Sequence, residues 1–550
     1  MNPAIDPVEK KCLAILILLA VLANCSGLFV TILGPDGALY ASIAKTMVIK
    51  NDYVSLFAEG HDWLDKPHFP FWITAFSFKL FGATTWAYKL PAILFLFMGA
   101  GYTYALAAQL YNKRTAYWSV IVLLTAEHII ISNNDVRAEP YLTGLIIAAV
   151  YHLYKAYKNN QYLHLVAGAL FAACAVMTKG MFALIPVCGA IGLELLIKKD
   201  WKNLFHIRWL AAALLILLFI TPELYCLYYQ FDAHPEKINF GQPGVSGIRF
   251  FFWDSQFGRF FNTGPIKGSG DPFFFLHTLL WAFLPWSVVM YAALILKIKT
   301  GWRLPQQTEW LTLGGAIPCL LVFSLSRFQL PHYSNILFPF LAILTAQYLL
   351  QAVDSKHSRF IRNTQLIVVI LLPILAVVLY VFFQPGNLWV AITVALAAIA
   401  LWLVLPLRTW AKNNLLIPVI LTVWVAVWLN IYLNLVFYPA LLRYQSGSEA
   451  AIMINRQYPG IPVVQMRNDY SYALEFYLQT SLWTTNSLQE TENLPPRPFI
   501  LYAGPDVTIP AGAQPIQTFE HFHVSQLTIG LLNHATRSKE TRAFGVYLVK

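Results

Sequence analysis

Five short stretches carry the side chains with which this 550-residue chain could do chemistry, and each lies at the edge of an apolar run. In "TILGPDGALYASIAKTM", Asp36 follows a Gly-Pro break. A carboxylate there either caps the helix that begins near Ala38 or faces a substrate, with Tyr40 one turn further on. "WLDKPHFPFW" puts Lys66 before a proline, hence in extended backbone, among Trp63, Phe69, Phe71 and Trp72. Such a lysine either snorkels to lipid head groups or holds a phosphate. "NNDVRAEPYLTG" sets Asp135, Arg137 and Glu139 at the mouth of an apolar run, where such charges must be paired or hydrated. "FFFWDSQFGRFFNTGP" spaces Asp254 and Arg259 five apart among aromatics, and arginine suits bidentate recognition of phosphate. "SLSRFQLPHYSNILFPFLA" gathers Arg327, Gln329, His332 and Tyr333 around Pro331, which marks the start of a helix.

The elements that must position these groups follow from composition. The chain is 58% hydrophobic and 12% charged, with mean hydropathy +0.56, about half the charge content of a soluble domain. It reads as an integral membrane protein. Its net charge of +11 is explained by Lys and Arg in cytoplasmic loops, so nucleic-acid binding is not implied. The six cysteines (Cys12, Cys25, Cys174, Cys188, Cys226, Cys319) lie in or beside apolar runs without a C-x-x-C and read as small core residues. The first apolar run has no small-residue cleavage site behind it and is expected to be a retained span.

A ruler of about 20 apolar residues per span finds about thirteen candidates. They cover 13–33, 87–110, 115–132, 140–157, 162–177, 181–197, 209–228, 273–296, 309–325, 334–351, 364–383, 387–407 and 415–435. The basic clusters then fall on one side: Lys10 and Lys11, Lys113 and Arg114, Lys155 and Lys158, Lys198 to Arg208, Lys297 to Arg303, Lys356 to Arg362, Arg408 and Lys412. By the positive-inside rule that side is the cytoplasm. All five stretches lie on the other side, in a loop over 34–86, a turn over 133–139, a loop over 229–272 and the start of the tenth span. "ALYASIAKTMVIKNDY" and "PFWITAFSFKLFG" have the helical spacing and low charge of helices lying in the interface. From residue 436 the character changes. "IPVVQM", "RPFILYA", "PIQTFEHF" and "GVYLV" read as strands around a helix at "YSYALEFYLQ", a soluble α/β module.

The expected organisation is a membrane-embedded catalytic domain over 1–435 and an extracytoplasmic α/β domain over 436–550. A transport path would place ionisable groups at mid-span. Here Glu127, His128, Glu194 and Glu223 lie near predicted ends, so an outward-facing enzyme is favoured over a multispan transporter, a flippase or a scaffold.

At these residues the sequence resembles the polyprenyl-phosphate-dependent GT-C glycosyltransferases, in particular the bacterial aminoarabinose (lipid A) transferases and their protein O-mannosyltransferase relatives. "PDGALYASIAKTM" matches the family's acid and Tyr-containing helix after the first span, and "DKPHFPFW" its E-K-P-P stretch. Glu139, or Asp135, matches the acid opening the fourth span. "DSQFGR" with "FLPWS" matches an H-E-x-x-x-R segment before a FLPW helix, and "SRFQLPHY" an S-x-x-K-L-P-x-Y opening whose lysine is here Gln329.

The resemblance implies a GT-C fold, an undecaprenyl phosphate-linked sugar as donor and lipid A or another glycolipid as acceptor. It also implies work on the periplasmic side of a bacterial inner membrane. Asp36, Glu139 and Asp135 would be the catalytic acids; Lys66, Arg259, Tyr333 and Arg327 would hold the donor phosphate, with Tyr40 and His332 on substrate. No cofactor is required, although Asp65 and Asp254 stand where the family pattern has Glu and His and could hold a divalent metal ion.

Overall fold

The computed structural model describes residues 5–159, 161–353, 355, 357–404, 415–489 and 494–550. Lys356, Arg408, Lys412 and the end of the 387–407 segment lie outside the described residues. Each of the thirteen expected segments contains helix. Among the described residues six helices are long and apolar enough to cross a bilayer by length and composition alone, including Thr85–Leu110, Tyr162–Lys179 and Ser358–Phe383. A further pair, Lys113–Leu124 and Glu127–Asn134, is bent by 51°. Others are interrupted: the 273–296 segment divides into Phe274–Ala282 and Ser287–Arg303 around Pro285. Along Ser358–Phe383 the exposed residues include Ile367, Ile370, Val377 and Val381, the lipid-facing side of a membrane helix.

The breaks fall beside the functional stretches because polar backbone and side chains need partners there. The first helix, Pro7–Cys25, ends earlier than its apolar run. The turn behind it is held by fully buried Lys89, whose ammonium donates to the Gly27 carbonyl at 3.0 Å and the Val30 carbonyl at 2.7 Å. Asn134 donates to Asn434 at 2.7 Å, and Asn434 donates to Ser26 at 2.7 Å, closing a buried polar seam behind this turn. The helix Glu139–Asn159 crosses Thr85–Leu110 at a glycine pair. A Cβ on Gly144 would stand 2.2 Å from the Phe95 carbonyl oxygen, and one on Gly99 would stand 2.9 Å from the Gly144 Cα. Small residues permit this close backbone approach.

The two expected interfacial helices form as Asp36–Lys50 and Phe69–Phe81. They pack on each other, and Asp36–Lys50 also packs on Tyr472–Tyr477 of the C-terminal region. There the chain forms a five-stranded mixed sheet in the order Leu482–Thr485, Val463–Met466, Phe499–Ala503, Arg542–Val549, Gln514–His521. The first three strands are parallel, with Val463 opposite both Leu482 and Ile500. The last two are antiparallel, with Ile500 opposite Leu548 and Leu548 opposite Gln514. The four expected strands are present; Leu482–Thr485 and the helix Ser446–Gln457 are additional.

Docking of this sheet region onto the segment that follows the first helix is polar and specific. The Lys45 ammonium donates to the carbonyls of Glu475, Phe476 and Leu478 at 3.1, 2.8 and 2.6 Å, satisfying the open C-terminal carbonyls of Tyr472–Tyr477. Gln445 accepts from the Gly34 amide at 2.8 Å and donates to the Ile32 carbonyl at 3.0 Å. Tyr477 accepts from the Ile32 amide at 2.9 Å.

The glycine crossing gives a direct check. Gly144→Val should destabilise the protein by about 2 kcal/mol or more through overpacking, seen as a lower thermal unfolding midpoint in detergent. Gly101→Ala, whose Cβ would meet nothing within 4 Å, should leave that midpoint unchanged or slightly raised.

Candidate active site

The segment carrying Lys66 is pinned from behind. His68 and Glu223 are fully buried as side chains, with Nδ1 of the ring 3.0 Å from the carboxylate. The other carboxylate oxygen accepts from the His68 backbone amide at 2.9 Å, and Nε2 lies 2.9 Å from the Val54 carbonyl. Both ring nitrogens are engaged, which locks the ring between Glu223 and the Val54 carbonyl. In front of this anchor, Asp65 receives Lys66 on one oxygen and Arg259 on the other. Burial would raise the Asp65 carboxyl, but the two cations outweigh it and hold it below its usual range. Burial lowers the Lys66 ammonium and the neighbouring Arg259 adds to that, against the pull of Asp65.

Arg259 follows a π-helical stretch, Phe250–Gly258, the kind of irregularity that often marks functional sites. Its guanidinium carbon lies 5.5 Å from the Phe328 ring centre, and its buried Nε has no hydrogen-bond partner among the described residues. In the same stretch Gln256 donates to the Lys179 carbonyl at 3.2 Å and accepts from the Phe182 amide at 3.3 Å. The turn thus held requires Gly180, whose φ is +92° and whose Cβ would lie 2.2 Å from the Gln256 amide nitrogen.

That turn presents Lys179. Its ammonium pairs with Glu139 and sits 3.5 Å from the centre of the Tyr333 ring, a cation–π contact in a desolvated setting. His332 approaches the same Glu139 carboxylate at 3.8 Å. On the far side Arg137 binds Asp36 at 2.6 Å and Asp135 at 2.8 Å. Asp36 is the first residue of its helix, and Pro35 occupies the cap position without a side-chain bond. The carboxylate therefore faces Arg137 instead of capping, and it is the more open of the pair, 42% exposed against 18% for Asp135. Burial raises the Asp135 carboxyl, with Arg137 opposing. Burial opposes the Arg137 charge, yet Asp135 and Asp36 push its pKa above the ordinary value.

These groups line two connecting cavities that share Asp65, Lys66, Lys179, Arg259, Phe328 and Tyr333. One, of about 760 Å³, is otherwise largely apolar, with Leu142, Phe182, Ala183, Phe323 and Ile336. The other, of about 640 Å³, adds Asp36, Tyr40, Arg137, Glu139 and His332. Tyr40 is held there by edge contacts with Trp63 at 6.0 Å and Phe71 at 5.4 Å. The shared wall thus carries three cations and one carboxylate, an arrangement that can hold an anionic head group with an apolar slot on one side and polar groups on the other.

Of the residues singled out from sequence, Asp36, Tyr40, Asp65, Lys66, Glu139, Arg259, His332 and Tyr333 meet at this double cavity. Asp135 stands directly behind, through Arg137. Arg327 does not join them: it is exposed, and among the described residues only its backbone amide is engaged, on the Phe260 carbonyl at 3.1 Å. Its neighbours Ser326 and Phe328 line the cavity instead. Gln329, at the family's lysine position, caps the preceding helix through the Phe323 and Ser324 carbonyls. The missing cation is supplied by Lys179, which sequence reasoning passed over because it sits in a very short turn between two spans; its side of the membrane was the only available signal. The metal assignment does not fit either. Both Asp65 oxygens are taken by Lys66 and Arg259, and Asp254 faces Arg249 at 3.7 Å. Among the described residues no three His, Cys, Asp or Glu side chains converge as a metal set.

A family model described as dolichyl-phosphate-mannose-protein mannosyltransferase matches residues 65–226. The chain is 26% identical over 358 residues to an uncharacterized protein of Aquifex aeolicus, covering 64% of this chain and 66% of that one. It is 27% identical over 341 residues to the undecaprenyl phosphate-alpha-4-amino-4-deoxy-L-arabinose arabinosyl transferase of Edwardsiella ictaluri, covering 60% and 58%. These stretches span less than two thirds of the length of either relative. A protein of Pseudomonas aeruginosa with the same name is 27% identical over 401 residues, 68% of each chain. Among solved structures, ArnT from Cupriavidus metallidurans bound to undecaprenyl phosphate superposes with a TM-score of 0.71 at 20% identity, covering 90% of this chain and 93% of that one. In the apo state it superposes with a TM-score of 0.72 at 19% identity, covering 98% of each. The chain has this GT-C fold, and it is a multi-pass protein of the bacterial inner membrane.

Lys179→Met removes one of the three wall cations and leaves Glu139 buried against His332 alone. The thermal unfolding midpoint in detergent should fall, because a buried carboxylate loses its cation, with Lys179→Arg recovering part of the loss. EDTA should leave that midpoint unchanged.

Proposed function

We propose that this protein is a membrane glycosyltransferase that moves a sugar of the 4-amino-4-deoxy-L-arabinose type from undecaprenyl phosphate to lipid A, on the periplasmic side of the inner membrane. The observation that carries the proposal is the wall of Lys66, Lys179 and Arg259 set between an apolar slot and a polar chamber. A polyprenyl phosphate has that form: a tail that remains in hydrocarbon and a phosphate that must meet cations. The fold shared with an undecaprenyl phosphate-bound enzyme supports the donor class. The relatives named undecaprenyl phosphate-alpha-4-amino-4-deoxy-L-arabinose arabinosyl transferase support the sugar; the acceptor is assigned from the resemblance of the motifs to the lipid A branch.

In this mechanism the acceptor oxygen attacks the anomeric carbon, the bond from that carbon to the phosphate oxygen breaks, and the electron pair stays on the phosphate. The developing charge is stabilised by Lys66 and Arg259, with Lys179 beside them and the Tyr333 hydroxyl donating. Groups that strengthen their contacts as the phosphate departs lower the barrier. Arg259 is suited to this because its Nε has no hydrogen-bond partner among the described residues. A hydroxyl acceptor needs its proton removed, and Asp36 is assigned that role as the open carboxylate of the Arg137 pair. A lipid A phosphate acceptor is already ionised. Asp36 and Glu139 then orient the sugar, the latter fixed by Lys179. Asp135 holds Arg137, and His332 and Tyr40 contact substrate.

A second reading, a protein O-mannosyltransferase-like enzyme, is favoured by the family model over 65–226. The same experiment separates the two. Purified protein in micelles is incubated with radiolabelled undecaprenyl phosphate-aminoarabinose and either lipid A or a Ser/Thr-rich peptide. Label is expected in lipid A; label only in peptide would favour the second reading, and label in neither would remove both. Asp36→Asn, Lys66→Ala and Arg259→Ala should each lose most turnover while remaining folded in detergent, and near-normal transfer by Asp36→Asn and Lys66→Ala would overturn the site assignment.

A further inference from the structure

A third cavity, of about 1150 Å³, opens where the C-terminal sheet meets the segment that follows the first helix. One wall is Gly34 and Pro35, and the next residue, Asp36, lines the polar chamber of the active site. The opposite wall belongs to the sheet region, with Tyr470, Tyr472, Phe522, His521 and Arg542. Two features of this lining call for a ligand with both apolar faces and hydroxyls.

The first is aromatic. Tyr470 and Tyr472 have ring centres 5.1 Å apart at 60°, and they and Phe522 are only partly buried. A pair inclined in this way offers one face to the C–H side of a pyranose ring while the other ring edges it.

The second is an oriented polar relay. Tyr502 lies 2.6 Å from the Ser446 hydroxyl, which lies 2.8 Å from Nδ1 of His521. Burial, with His523 and Arg542 adding to it, lowers the His521 imidazole to about 4, so the ring is neutral. Its Nδ1 is engaged, and among the described residues Nε2 has no hydrogen-bond partner. A hydroxyl, which both donates and accepts, matches that nitrogen in either tautomer. Beside it Arg542 makes no ion pair among the described residues and is exposed.

We propose that this cleft binds the saccharide head of the acceptor and delivers it to Asp36, with Tyr470, Tyr472 and Phe522 stacking on sugar rings, His521 meeting a hydroxyl and Arg542 meeting an anionic substituent. The inference rests on the transferase reading and adds to it a place for the acceptor away from the donor phosphate. The cleft and the reaction chamber share no lining residue but meet at adjacent residues of the chain, Pro35 in one and Asp36 in the other, which sets an acceptor head in the cleft next to the assigned base.

The probe is the fully deacylated glucosamine disaccharide bisphosphate of lipid A, which has no tails to bury. Calorimetric titration of the full-length protein in micelles should show binding that Tyr470→Ala and Arg542→Ala each weaken about tenfold, the size of one lost anchoring contact. In transfer assays the same variants should raise the KM for lipid A by a similar factor. Their kcat and donor KM should remain unchanged, a split that loss of folding would not produce. The disaccharide should inhibit wild-type transfer competitively against lipid A and not against the donor. Disaccharide binding and acceptor KM that are both indifferent to Tyr470→Ala and Arg542→Ala overturn the cleft while leaving the transferase intact. Disaccharide binding weakened by the variants, in a protein that transfers no sugar, supports the cleft and removes the transferase.

Discussion

The rest of the structure depends on keeping three cations close together in a wall that water scarcely reaches. Lys66, Lys179 and Arg259 line one cavity face, and like charges at such range repel strongly where the dielectric is low. What stabilises them is not a matching set of carboxylates. Asp65 serves Lys66 and Arg259 together, Glu139 serves Lys179, and the remaining support comes from the rings of Tyr333 and Phe328. The wall is therefore under-neutralised, which is the charge deficit that the phosphate of the proposed donor would fill. Removing either carboxylate would leave buried cations unpaired, which costs more than the pair contributes.

Holding that arrangement explains features that otherwise look like irregularities of a helical membrane protein. The π-helical stretch before Arg259, the left-handed Gly180 and the His68–Glu223 anchor each fix one of the cations from behind. None is needed to cross a bilayer. Regular helices alone would project side chains at intervals set by their pitch, and six chain segments could not then be brought to one point. The price is interrupted spans, tolerated because polar backbone at the breaks finds partners such as Lys89 and Gln256.

Much of this was legible in the sequence. The apolar runs reported the helices, and the placement of Asp36, Lys66, Glu139 and Arg259 on one side reported that they could meet. The failures have physical causes. Lys179 carries no local signal, since a single lysine in a very short turn looks the same whether it points at lipid or at a carboxylate. Arg327 offers the right charge, but it sits in a bend closed by Ser326 on Phe328, and these two neighbours line the cavity while Arg327 is exposed. Asp254 aligns with a ligand position of the family, but Arg249, just before the π-helical stretch that carries Asp254, faces its carboxylate. The capping role for Asp36 was sound as propensity and lost to Arg137, a partner over a hundred residues distant.

Lys45 reaches Glu475, Phe476 and Leu478 across some 430 residues of chain. The helix that carries Asp36 and Tyr40 is packed against Tyr472–Tyr477, a segment the ribosome makes some 430 residues later. A nascent chain can insert many of its spans and gather Lys66, Lys179 and Arg259 well before that, but the Asp36 helix finds this packing partner only once that distant segment has emerged and folded. The carboxylate side of the cavity is therefore assembled after the cation side.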